Sequence, residues 1–143
     1  MAKFPKEKPV SLVQQIIAVK KQYKNVVATK YNKNEIIIKL KIKPTDESEN
    51  YLVSVSYKLK SAPKVLLLEP EIKKYNGKTP HHIYGFENGK PILCLYYPKI
   101  SEWNKHMYIA DTIIPWISTW LFAYEYWQIT GCWNYEESKA LKK

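Results

Sequence analysis

Two runs of strict alternation constrain this chain more than anything else in it. Over residues 35–43, Ile38, Leu40 and Ile42 fall on one face and Lys39, Lys41 and Lys43 on the other. Over residues 51–60, Tyr51, Val53, Val55, Tyr57 and Leu59 oppose Ser54, Ser56 and Lys58. A period of two belongs to a strand, and apolar-in, polar-out alternation describes a sheet covered on one side and wet on the other. The polar connection from Pro44 to Asn50 is short, which favours antiparallel pairing. With Val26–Tyr31 before these runs, and the apolar run Val65–Leu68 after Pro63, the pattern predicts a four-stranded antiparallel meander.

The apolar face of such a sheet needs a cover. Ser11 is a candidate cap for a helix running to about Tyr23, with Leu12, Val13, Ile16 and Ile17 as its apolar positions. Later, Ile113, Ile117, Trp120, Leu121 and Tyr124 repeat at helical spacing, with Pro115 tolerable in the first turn and Gly131 as the stop. The most apolar stretch, Ile113 to Tyr126, contains Pro115 and Glu125 and is shorter than the roughly 20 residues a bilayer crossing needs, so it predicts a core helix and no membrane span. Between the meander and this helix, residues 69–92 lose all periodicity and carry Pro70, Gly77, Pro80, Gly85, Gly89 and Pro91, which predicts one long loop. The order of helix, four strands, long loop, cysteine and helix defines an α+β layout with one sheet backed by helices. At 143 residues, 45% of them hydrophobic, residues 1–143 suffice for a single domain with its own core. Five Trp, twelve Tyr and three Phe argue against disorder.

The net charge is +10, and all 23 basic residues are Lys. The excess lies in residues 1–80, because from residue 81 onward Lys and acidic side chains balance. A chain without Arg lacks the planar fork that reads guanine or clamps phosphate, so sequence-specific nucleic-acid readout is not expected. A Lys-rich, nucleic-acid-binding protein is the rival reading, and the alternation that puts Lys39, Lys41 and Lys43 on an ordinary solvated strand face counts against it. A Lys-rich face still steers acidic partners. Cys94 and Cys132 form no disulfide framework, and no secretory leader opens the chain, so a reducing cytoplasm is expected. His81, His82 and His106 lack metal-ligand spacing, and neither a phosphate-cradling glycine loop nor a serine-hydrolase signature occurs, so no metal or organic cofactor is expected.

Cys94 is the informative residue. Between Leu93 and Leu95 it reads first as a small buried hydrophobe, yet it closes the long loop that carries His81, His82 and Asn88. A rigid scaffold tends to place chemistry on such loops, and a thiol acts there as the thiolate. Cys132 lies past the stop of the Trp-rich helix; it is either an incidental small residue or a second thiol that approaches Cys94.

Taken together, Leu59-Lys60-Ser61-Ala62-Pro63-Lys64-Val65, Pro80-His81-His82-Ile83-Tyr84, Gly89, Leu93-Cys94-Leu95 and Trp103 resemble the core of ubiquitin-conjugating enzymes. That family orders a proline-led fourth strand, a His-Pro-Asn segment, a catalytic cysteine between aliphatic residues and a following tryptophan in this way. The later Pro115-Trp116, Trp120-Leu121, Tyr124-Glu125, Thr130-Gly131 and Trp133 resemble its prokaryotic branch, the small conjugating-enzyme-like proteins of bacterial anti-phage operons of the CBASS type. The resemblance implies a UBC-like fold and a Cys94 thioester. It implies that the carried protein is a cGAS/DncV-like nucleotidyltransferase bound through its C-terminal tail, with an amine as acceptor. The family's His-Pro-Asn becomes His81-His82-Ile83 here, so the oxyanion donors fall to Asn88, His82 or backbone N–H groups. His82 is the better match for the family histidine, although the sequence alone does not tell the adjacent His81 and His82 apart. A catalytically silent binding module of the same fold is the other reading that this departure allows.

Overall fold

The computed structural model describes residues 8–95 and 103–133. Helix α1 (Leu12–Gln22) opens on a capping box: the Ser11 hydroxyl accepts from the Gln14 N–H at 3.1 Å, and the Gln14 side chain accepts from the Ser11 N–H at 3.0 Å. Lys20 and Lys21 sit in its last turn, where the helix dipole favours them. The buried face of α1 differs from the expected one. Leu12, Gln15 and Val19 point inward while Val13 and Ile17 are exposed. A polar residue takes the central place because it is fully satisfied there: Gln15 Nε2 donates to the Met107 carbonyl and its Oε1 accepts from the Ile109 N–H, each at 2.8 Å. Tyr23 adds a bond from its hydroxyl to the Ala110 carbonyl at 2.8 Å. Thus α1 grips the 3₁₀ turn Ile109–Asp111.

The alternating runs form strands as their period requires: β1 (Val26–Tyr31), β2 (Ile36–Ile42), β3 (Tyr51–Tyr57) and β4 (Lys64–Glu69). All pair antiparallel, with Ile38 opposite Val55 and Val55 opposite Val65, so the aliphatic residues of three strands share one face. The expected meander is extended, not interrupted, by the segment read as a long loop. Residues 83–93 fold into a hairpin, β5 (Ile83–Glu87) and β6 (Lys90–Leu93), and the sheet has six strands in the order β1-β2-β3-β4-β6-β5. Its turn is Asn88-Gly89, both at positive φ (52° and 79°), the conformation that a two-residue hairpin needs and that Asn and Gly tolerate.

Helix α2 (Ile113–Thr130) lies against the inner face of the sheet. Ile113, Ile117, Trp120, Leu121, Tyr124 and Trp127 are buried in one cluster with Ile36, Ile38, Leu40, Val53, Val55 and Leu67. Its one acidic residue, Glu125, is turned to the β2–β3 loop, where it accepts from the Ser48 and Tyr51 hydroxyls at 2.8 Å each. Burial, reinforced by that carboxylate, raises the Tyr51 hydroxyl well above the usual phenol range. The helix ends at Gly131 in the left-handed conformation, and a Cβ there would meet the Tyr75 ring at 2.7 Å.

Candidate active site around Cys94

The hairpin and α2 bring Cys94 into place. It follows the buried Leu93 directly, is itself half-buried, and its N–H donates to the His82 carbonyl at 3.0 Å. The same carbonyl accepts a second bond, from the Trp120 indole N–H at 2.9 Å. One oxygen therefore ties the end of β6 to the segment ahead of β5 and to the middle of α2. On the side-chain side, the His82 ring packs on Trp133 at 4.8 Å between centroids, and Trp133 meets Trp120 edge-on at 5.1 Å. Trp120 in turn stacks on Tyr124 at 5.4 Å. The adjacent histidines are thereby distinguished: His82 is half-buried in the aromatic cluster, while His81 is exposed.

Asn88 is not brought to the thiol. It occupies the exposed hairpin turn, and with β6 intervening at about 3.3 Å per residue it stands roughly 13 Å or more from Cys94. Its residue type is explained by its left-handed backbone, so of the donors expected for an oxyanion, His82 and backbone N–H groups are those near Cys94. Cys132 is an exposed free thiol. Its N–H is held by the Thr130 hydroxyl at 3.0 Å, and the next residue is the Trp133 that covers His82. Cys94 and Cys132 both neighbour this aromatic cluster, one through the His82 carbonyl and the other through Trp133, and no disulfide joins them.

A groove of about 330 Å³ is walled by Ala62, Pro63, Tyr84 and Ile92 with Leu93 and Leu95, the two chain neighbours of Cys94. In β5 the register slips between Ile83 and Gly85, and Gly85, opposite Ile92 at φ 145°, takes a backbone conformation that side chains rarely adopt. Lys64 stands at the edge of the groove, ion-paired to Glu87. Sequence periodicity missed this groove because β5 and β6 were read as loop; the Asn88-Gly89 pair between short apolar runs was the available signal. Among the described residues no group of three or more His, Cys, Asp or Glu side chains is placed to hold a metal ion, and no helix is long and apolar enough to cross a membrane.

A helix and an antiparallel meander, a hairpin ending at a cysteine, and a helix laid back across the sheet make up the ubiquitin-conjugating, or E2-like, class of fold. Within that class the chain belongs to the Type II CBASS E2 protein family, E2-CBASS, which matches residues 15–140. None of the curated proteins searched matches it. Membership gives the chain an E2-like role in anti-phage defence and a protein partner within the CBASS operon.

Proposed function

We propose that the chain is an acyl transferase that carries the C-terminal acyl group of a partner protein as a thioester on Cys94. The thiolate attacks the activated C-terminal carbonyl, the C–S bond forms and the activating group departs with its electron pair. An acceptor amine then attacks the thioester, an amide forms, the Cys94 thiolate leaves and the amine proton passes to solvent. The sequence contains no nucleotide-cradling motif, so another protein or a preformed activated acyl group supplies the activation. The carried protein in this reading is a cGAS/DncV-like nucleotidyltransferase of the same operon.

The observation that carries the proposal is the setting of Cys94: a half-buried cysteine, anchored through its own N–H to the His82 carbonyl, between Leu93 and Leu95, which both line an apolar groove. His82 and nearby backbone N–H groups are the donors available to the tetrahedral oxyanion. The exposed Lys39, Lys41 and Lys43 offer an acidic partner a docking face on the outer side of the sheet. Cys132 serves in this reading as a second thiol beside the first.

The test is to mix the chain with the operon's nucleotidyltransferase and its source of activated acyl groups, and to analyse the products by non-reducing electrophoresis and mass spectrometry. A thiol-sensitive adduct on Cys94 is expected. Cys94→Ala should abolish it, and Cys94→Ser should trap a thiol-resistant oxyester, because an alkoxide leaves less readily than a thiolate. An adduct on any other residue, or transfer that survives Cys94→Ala, would refute the assignment. A complex that forms without any adduct would mark a silent binding module instead.

A further inference from the structure

The outer face of the sheet has a basic side and an apolar side. The residues that line it alternate with those in the core: Lys39 pairs with Ser54, Ser54 with Leu66 and Leu66 with Ile92, so one row crosses four strands as Lys, Ser, Leu and Ile. The neighbouring rows pair Lys41 with Leu52 and Ile37 with Ser56. Ser54 and Ser56 are small, and along β3 they leave a furrow between the strands on either side. On its β2 side stand Lys39, Lys41 and, just past the strand, Lys43, all exposed. On its β4 side stand Leu66 and, beyond it on β6, Ile92, both half-buried, with Glu69 closing that side opposite Leu52. Lys64 is already ion-paired to Glu87, whereas among the described residues Lys39, Lys41 and Lys43 pair with no carboxylate.

Width and charge together select the occupant. β2 and β4 lie one strand spacing to either side of β3, so the walls are about 9–10 Å apart, close to the diameter of a helix. The length of β3, about 23 Å, equals roughly four helical turns. A segment lying between a row of unpaired ammonium groups and a row of aliphatic side chains must be acidic along one edge and apolar along the other. An amphipathic helix with Asp or Glu on one flank and Leu or Ile on the other has that form. A nucleic-acid strand would leave the aliphatic wall unused, and the chain offers it no Arg to hold its phosphates. The apolar wall also runs on into the groove beside Leu93 and Leu95, because Ile92 belongs to both.

We infer that this furrow docks an acidic amphipathic helix of a protein partner, with its carboxylates on Lys39, Lys41 and Lys43 and its aliphatic side chains on Leu66 and Ile92. Docking of this kind deepens the proposed function, on which it rests for the acidity of the partner, and is independent of acyl chemistry at Cys94. A four-turn helix covers less than the roughly 800 Å² per partner of a standard interface, so the contact is weak and reversible.

The probe is a synthetic Ala-rich helix of about 15 residues, with Glu on one flank and Leu on the other, titrated into the full chain with no acyl donor present. Amide NMR shifts should concentrate at residues 37–41, 52–56 and 64–66, with a dissociation constant of about 10–300 µM at low salt. The same peptide with Lys in place of Glu should bind at least about tenfold more weakly, and Lys39→Glu with Lys41→Glu should reverse that order. Leu66→Thr with Ile92→Thr should weaken the acidic peptide at least about fivefold, with unchanged circular dichroism. Shifts that map elsewhere overturn the inference. So does acidic-peptide binding that survives the loss of Leu66 and Ile92, which would mark plain charge attraction, or tighter binding of single-stranded DNA or phosphatidylserine vesicles than of the peptide. None of these readouts uses the thiol, so failure of the Cys94 adduct and failure of the docking are told apart.

Discussion

Replacing Trp120 by Phe tests how the Cys94 segment is held. The change removes one hydrogen bond, the 2.9 Å donation from the indole to the His82 carbonyl. That oxygen keeps its bond from the Cys94 N–H, so nothing buried is orphaned, and the loss stays within about 0.5–1.5 kcal/mol. Truncating the indole also leaves a void in a buried site against Trp133 and Tyr124, which adds roughly 1–2 kcal/mol. The sum, about 1.5–3.5 kcal/mol, lowers Tm by roughly 3–14 °C in a chain of this size. The local effect separates this role from plain packing. If about 1 kcal/mol of the loss falls on the anchor, the 80–82 segment opens about fivefold more often. Amide exchange at Cys94 and alkylation of its thiol should rise by that factor. Trp127→Phe is the control, because it removes the same volume from the same helix but contacts Tyr75 and Tyr124 instead of His82. Equal gains in Cys94 exchange for both variants, or none for Trp120→Phe at a matched loss of Tm, would refute the anchoring argument.

Three further outcomes follow from the same structure. Tyr51 is held above its ordinary pKa by burial and by Glu125, and Tyr124 by burial first, so the folded chain keeps protons that the unfolded chain sheds above about pH 10. Stability should fall as pH rises past that point, by up to about 1.4 kcal/mol per pH unit per tyrosine, and the slope measured by denaturant titration should be shallower in Tyr51→Phe. Charge reversal at Lys39, Lys41 and Lys43 should slow association with an acidic partner by at least about tenfold at low salt and flatten its salt dependence in stopped-flow measurements; unchanged kinetics would make the charge a matter of solubility. Mild oxidation followed by non-reducing peptide mapping should reveal a Cys94–Cys132 cross-link and Cys132→Ser should impair transfer, whereas full transfer without any cross-link would leave Cys94 acting alone.

The sheet was legible because β2 and β3 alternate without error, and α2 because its inner residues recur at helical spacing up to Gly131. The inner face of α1 was not, since hydropathy ranks Val13 and Ile17 above Gln15. What decides the matter is a pair of backbone groups near residue 108 that only an amide side chain can satisfy together. The hairpin β5–β6 was hidden by its punctuation: Gly85 and Pro91 look like loop residues, yet one sits at a register slip inside β5 and the other is accommodated within β6. Cys94 could be singled out from its neighbours, but its anchor could not. The His82 carbonyl and the Trp120 indole are 38 residues apart, and a backbone oxygen carries no mark in the sequence. Asn88 shows the opposite failure, where a residue type suited to catalysis is accounted for by a turn.

The partners of Gln15 arrive late. Met107 and Ile109 leave the ribosome 92 and 94 residues after it, which at about 5–20 residues per second is a delay of roughly 5–20 s. Over that interval β1 to β4 can pair, but α1 lacks the turn that satisfies Gln15, and the His82 that anchors Cys94 has neither Trp120 nor Trp133 on it. A nascent or prematurely terminated chain therefore carries its cysteine without the surroundings that hold it in position. Under the proposed function, acyl capture at Cys94 waits until residues 107–133 have been made, and shorter fragments lack the contacts that hold its segment.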